Sequence, residues 1–522
     1  MKRLTTGSLM LSFLAGAWTL TASAQSPKIV VGIVVDQLRT DYLDQLRPYF
    51  GDKGFNRLIS EGVFIRDVDF KGTATDAPTG TAVIYTGAWP VANGVAGDRR
   101  LDASINRSVP VLATDASKSK LDYSPENLRL STIADEFYVN YGPLSKIYSV
   151  AGDAQVAVIA AGHAPGAAIW LDETTGRWNT PAYYGTAPSF VTNKNRTSPL
   201  SQKISSSVWR PLAPASAYTM GAAWKEGDFN YGFSGAGRDA VMRFKAAAPF
   251  NVEATDMALD LLRAAQSASS TTGRPAMVNV AYTLSAPEFD YDGDSRPETV
   301  DKYVRLDAEL GRLIDAVYSD FGKENAVIFL SSTGYALEPA MPETEARIPG
   351  GEITLRKVES LLNAYLSAQY GNGDFVALIQ NGKLFLDAGV AERKGLDIRK
   401  LRADVKEFLL KMSGISEVIT VDEVIRGDSR RLADIALGID PKSAPDFFIG
   451  FTPGWTVVDD TAFPETSHKV RLANPPTPAF ILAPDLKAEV ITTPVEATAL
   501  APTISSAIHI RAPNGASSKP LF

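Results

Sequence analysis

Asp36 closes the apolar run IVVGIVV at residues 29–35, so a carboxylate is delivered to the end of a buried strand. Two hydroxyls, Thr75 and Thr79, flank Ala77 in GTATDAPTGTAVIYTG, and either could act as a nucleophile if a base or cation activated it. A second apolar strand segment, AVIFLSSTG at 326–334, ends in the neutral pair Ser332-Thr333. Neutral hydroxyls are poor zinc ligands, because zinc is held by ionised oxygen, thiolate or neutral imidazole nitrogen. The acidic stretch EFDYDGDS at 288–295 offers Glu288, Asp290, Asp292 and Asp294 as oxygen ligands. With Asp301 the three aspartates fall at positions 1, 3, 5 and 12 of a calcium-loop spacing, but Ser295 stands where position 6 needs glycine. A solvated acidic loop is the expectation there. Imidazole is scarce, with only His163, His468 and His509 in 522 residues, and there is no cysteine.

The elements that must position these groups alternate between strand and helix. Runs 29–35, 278–281 and 327–330 are apolar throughout, as strands buried on both faces of a mostly parallel sheet are. Helical periodicity covers 252–268 and 299–317, the second with Val304, Leu306, Leu310, Leu313 and Ile314 on one stripe and Pro297 just before its start. The fold class is therefore α/β, a layered sheet flanked by helices. Residues 351–459 read differently. FVALIQNGKLFLDAG places Asn381-Gly382 between two apolar runs, a hairpin signal, and a helix over 397–412 follows, so an inserted α+β subdomain is expected. The core is expected to comprise 25–350 and 460–522.

The N-terminus reads as an export signal at 1–24: Lys2 and Arg3, an apolar stretch from Leu9 to Leu20, then Ala22-Ser23-Ala24 as an A-x-A cleavage site. About 12 apolar residues fall short of the roughly 20 that span a bilayer. A soluble, periplasmic or otherwise exported protein without a transmembrane segment is expected after cleavage. Loss of Lys2 and Arg3 takes the net charge from −7 to −9, and no basic stripe is present, which argues against a nucleic-acid partner.

Several segments in order carry a family resemblance: VVGIVVDQLRTDYL at the first strand, YTG at 85–87 with Pro90 and Asn93-Gly94, AGH at 161–163 followed by WLDETTGRW, APF at 248–250, KSAPDFFIGFTPGW, VEATALAPTISSAIHI and RAPNGASSKPL. Together they resemble the periplasmic alkaline phosphatases of the PafA type, which are similar to the type I phosphodiesterase/nucleotide pyrophosphatase group of the alkaline phosphatase superfamily. The resemblance implies an alkaline phosphatase-like fold. It also implies a centre in which two zinc ions flank a Thr or Ser nucleophile.

Position by position, the resemblance implies a degenerate centre. Asp36 matches the first carboxylate ligand and His468 the last histidine, both vestigial. Ala77 stands at the nucleophile position, Ser285 and Phe289 at one ligand pair, and Ser332 and Thr333 at another. Asp98, Asp153 and Gln155 replace substrate-holding groups, with no positive charge among them. A non-catalytic pseudophosphatase that acts as a binding or scaffold protein follows, with no cofactor and an unknown protein or glycan partner. The alternative is a phosphomonoesterase or phosphodiesterase with a remodelled zinc site that uses Thr79 or Thr75 and the carboxylates from Glu288 to Asp294. Neutral and small side chains at Ala77, Ser285, Ser332 and Thr333 suggest a polar pocket able to hydrogen-bond a neutral ligand such as a glycan. Trp178, Tyr183, Tyr184, Trp209, Trp224 and Tyr231 are candidate exposed anchors for a sugar or a partner.

Overall fold

The computed structural model describes residues 26–73, 75–102, 105, 107–114, 121–213, 229–235, 237–285, 296–337, 350–461 and 468–522. The export-signal segment, Trp224, Phe289 and the acidic stretch 288–294 lie outside these.

Alternation along the first strand, Ile29–Asp36, decides the layering. Ile29, Val31, Ile33 and Val35 enter one hydrophobic core, while Val30 and Val34 enter the other. A strand that feeds two cores must be covered on both faces. Helices Ala248–Thr272 and Arg296–Phe321 cover the first face, and Ala77–Thr86, Ala154–Ala161 and Leu500–Ala507 the second. The result is a nine-stranded sheet. Ile29–Asp36 lies at its centre between Ala276–Thr283 and Ala326–Ser332, parallel to both. Lys146–Ala151 and Ala167–Asp172 continue the parallel run on one side. On the other, Ala479–Leu482 returns antiparallel and pairs with Val63–Ile65. This is the α/β, mostly parallel arrangement expected. Both long helices exceed the expected bounds, and Pro297 sits in the first turn of its helix, where its missing N–H costs nothing.

The segment 351–459 carries its own core, built around Leu355, Leu362, Ile379, Val405 and Phe447. Its four-stranded sheet includes the hairpin Val376–Gln380 and Lys383–Leu386. Asn381 at φ 47° and Gly382 at φ 75° supply the two left-handed residues that a type I′ turn needs. The helix after it spans Ile398–Leu409, with Asp397 as N-cap accepting from the Arg399 amide.

Helix Ala77–Thr86 lies so close to the sheet that a Cβ on Gly80 would stand 1.8 Å from the Thr333 carbonyl oxygen. Only glycine permits that approach, and it brings Ala77 over the end of the Asp36 strand.

Candidate functional site

The C-terminal ends of the parallel strands open into a cleft of about 660 Å³, the end at which open α/β sheets bind ligands. Asp36 ends the central strand, opposite Thr283 in register. Its carboxylate is fully engaged. Arg471 donates from Nη1 to Oδ1 and from Nη2 to Oδ2, both at 2.7 Å, and the Thr333 hydroxyl donates to Oδ1 at 2.7 Å. Lys302 lies completely buried beneath the cleft and donates to the carbonyls of Ala246 at 2.9 Å and Ser285 at 2.6 Å. Burial pushes its pKa down to about 7, against the opposing attraction of Asp36.

The two helix N-termini that face the cleft are capped by the chain's own carboxylates. Asp76 accepts from the Thr79 amide at 2.8 Å, and Asp153 accepts from the Gln155 and Val156 amides at 2.7 and 3.1 Å. Such caps satisfy orphan donors and fill the positions where a helix would otherwise attract an anion. Asp98 also lines the cleft, and burial, assisted by the charge of Asp76, lifts its carboxyl to about 6. Its Oδ1 accepts from Gln380 of the hairpin at 2.6 Å. Burial likewise raises Asp153, opposed by Lys245. Cations enter from elements that the motif comparison did not reach. Helix Arg238–Lys245 brings Arg243 and Lys245 to the wall, with Lys245 paired to Glu173 at 3.0 Å, and Lys469 and Arg471 arrive after the insertion.

The expected residues divide accordingly. Asp36, Thr75, Ala77, Asp98, Asp153, Ser285, Thr333 and His468 all line the cleft. Thr79 does not. Its hydroxyl is buried without a hydrogen-bond partner on the third residue of the helix, so it is no substitute nucleophile. Gln155 turns inward, accepting from the Leu112 amide at 3.0 Å and donating to the Asp98 carbonyl at 2.9 Å. Ser332 is wholly buried at a strand end, and Ser285 shares a 2.7 Å hydrogen bond with Thr283. The lining is therefore charged and mixed, not the neutral set expected.

Other expectations resolve away from the cleft. Asp301 accepts from Trp209 Nε1 at 2.6 Å, the Leu212 amide at 2.7 Å and Arg305 Nε at 2.6 Å, so it anchors a core indole and not calcium. Trp178 and Trp209 are core residues and Tyr184 and Tyr231 are half-buried, which leaves only Tyr183 exposed among the described aromatic anchors. His163 is held between Asp135 and the Leu128 carbonyl, and His509 pairs with Asp485 at 3.4 Å.

The described residues do not fit a zinc pair. Asp36 has both oxygens on a guanidinium, one of them also accepts from the Thr333 hydroxyl, and among the described residues no three His, Asp or Glu side chains converge on one point. Arg471 and Lys302 escaped the sequence reading because nothing local couples them to Asp36. The one available signal was a retained carboxylate with a single retained imidazole, His468, too few to hold a cation pair.

Comparison with known proteins agrees with the frame. The chain is 27% identical over 546 residues to alkaline phosphatase PafA of Elizabethkingia meningoseptica, covering 99% of this chain and 97% of that protein. It is 26% identical over 528 residues to a protein named calcium-transporting ATPase from Myroides odoratus, covering 97% and 96%. The crystal structure of wild-type alkaline phosphatase PafA superposes with a TM-score of 0.78 over 95% of this chain and 98% of that one, at 23% identity, which supports the fold. The profile of type I phosphodiesterase / nucleotide pyrophosphatase matches residues 30–470, and this chain belongs to that family.

Proposed function

We propose that this chain is an exported, non-hydrolytic member of its family that uses the former active cleft to bind a ligand or partner. One observation carries the reading. Where the helix above Asp36 begins, the side chain is the methyl of Ala77, and the nearest reserve hydroxyl within that helix, Thr79, is sealed from the cleft. A methyl group cannot attack phosphorus. Phosphate monoester hydrolysis demands enhancements up to about 10²¹, and a methyl at the head of the cleft helix with the strand-end carboxylate tied to Arg471 does not supply them. Asp76, Asp98 and Asp153 add negative charge where a phosphate dianion would have to enter. The mixed charged and polar lining suits a polar ligand without a phosphate dianion, such as a glycan, or a protein segment. Export is supported by the signal-like pattern at 1–24. It is also consistent with the lack, among the described residues, of any helix long and apolar enough to cross a membrane.

The alternative reading is a hydrolase that uses Thr75, and its support is that Thr75 lines the cleft beside Asp76. Purified mature protein assayed against phosphate mono- and diesters, with and without zinc and with its metal content measured, separates the two. Inert, metal-poor protein is expected. Zinc-dependent turnover that disappears in Thr75→Ala would establish the alternative.

A further inference from the structure

Asp36 stands where the ends of three parallel strands meet, with Thr283 beside it in one register and the Val35–Ser332 pairing in the other. A carboxylate withdrawn from water at such a place needs a cation, because an unpaired buried charge is costly. The chain provides one from 435 positions away. Arg471 meets both carboxylate oxygens at 2.7 Å, and Thr333 adds a third donor. This two-pronged pairing matches the planar fork of a guanidinium to a carboxylate, a geometry that lysine cannot reproduce. The side chains of Arg471 and Asp36 are only 19% and 13% exposed, so solvent does little to weaken the pair.

We propose that Arg471 is a built-in replacement for a metal cation, fastening the central strand end to the returning C-terminal segment so that the cleft forms without metal. The inference rests on the non-hydrolytic reading of the centre, but its consequence concerns folding and not turnover. A divalent ion approaching Asp36 has to displace two hydrogen bonds and then share the cleft with the cation it displaced. Wild-type protein should therefore neither need nor take zinc at this position.

Thermal unfolding of the full mature chain tests this. The wild-type melting temperature should stay within about 1 °C in excess chelator or in zinc, since only a ligand that binds the native state shifts it. Arg471→Ala should melt roughly 2–4 °C lower, the cost of leaving a shielded carboxylate unpaired in a large chain. Methylguanidinium at about 10 mM should restore at least half of that loss by refilling the vacated position. It should do nothing for wild type or for the double variant Asp36→Asn/Arg471→Ala. A chelator that lowers the wild-type melting temperature, zinc that raises it, or equal rescue of single and double variants would overturn the proposal. If Arg471→Ala does not fold, the wild-type chelator and zinc measurements still decide. Turnover by metal-free wild type would defeat the non-hydrolytic reading and leave this one standing, whereas metal-dependent melting without turnover would do the reverse.

Discussion

The Lys302 ammonium donates to the carbonyl of Ser285 at 2.6 Å from a position with no solvent exposure, and among the described residues the charge that offsets its burial is that of Asp36. Burial has lowered the pKa from the ordinary 10.5 to about 7. Between those values the unfolded chain holds a proton that the folded chain has released, so stability rises with pH, by at most about 1.4 kcal/mol per pH unit. Urea unfolding at pH 7.5 and 9.5 should show wild type gaining on the order of 2 kcal/mol relative to Lys302→Met. Parallel pH profiles for the two proteins would remove the buried, titrating amine from the account.

Ala77→Thr places a hydroxyl at the head of the cleft helix, where the family resemblance implies a nucleophile. It should not restore hydrolysis, because Asp36 remains tied to Arg471 and is not free to hold a metal ion that would activate the new oxygen. Activity against p-nitrophenyl phosphate, with zinc added, should stay within about tenfold of the wild-type background. A gain of several orders of magnitude would mean that the metal ligands are present after all and that only the nucleophile had been lost.

His163 is fixed from both ring nitrogens, with Nδ1 2.9 Å from Asp135 and Nε2 2.8 Å from the Leu128 carbonyl. Two acceptors call for two donors, which only the imidazolium has. Burial opposes that charge, but the hydrogen bond and field of Asp135 outweigh it and raise the pKa. The stabilisation is therefore complete below about 6.5 and fades as pH rises through the raised folded value. His163→Gln should cost about 1 kcal/mol at pH 6, allowing for a side chain one-third exposed, and less at pH 9. Urea midpoints at the two pH values check it, and a cost that grows with pH would contradict the imidazolium assignment.

What could be read from the chain, and what could not, follows the range of the interactions. The run IVVGIVVD needs no partner to be recognised as a strand buried on both faces, and Asn381-Gly382 specifies its hairpin within two residues. The position of Asp36 at a strand end was equally local. The group that neutralises it was not, because Arg471 is joined to Asp36 only through the fold. Gln155 was expected beside Asp153 in the cleft from the family resemblance, yet Asp153 caps the helix at the cleft while Gln155, two residues on, turns into a backbone contact. Trp178 and Trp209 were expected as exposed anchors but are core residues, since the local sequence says nothing about which face an indole seeks.

Gly80 offers a test whose sign is diagnostic. Replacing a helical glycine with alanine ordinarily stabilises by about 1 kcal/mol, because alanine has less backbone freedom to lose. At Gly80 the new Cβ would lie 1.8 Å from the Thr333 carbonyl oxygen and 2.9 Å from its Cα, and both are backbone atoms that no rotamer change can move. The helix would have to withdraw from the sheet and carry Ala77 away from Asp36. Gly80→Ala should therefore destabilise by roughly 2–3 kcal/mol in chemical denaturation. Gly389→Ala is the matched control, since its Cβ would meet only the Arg393 and Asp387 side-chain ends at 3.0 and 3.2 Å and should leave stability unchanged or slightly higher. Equal effects at the two positions would show that the helix is not seated on the Thr333 backbone, and the placement of Ala77 over Asp36 would fall with it.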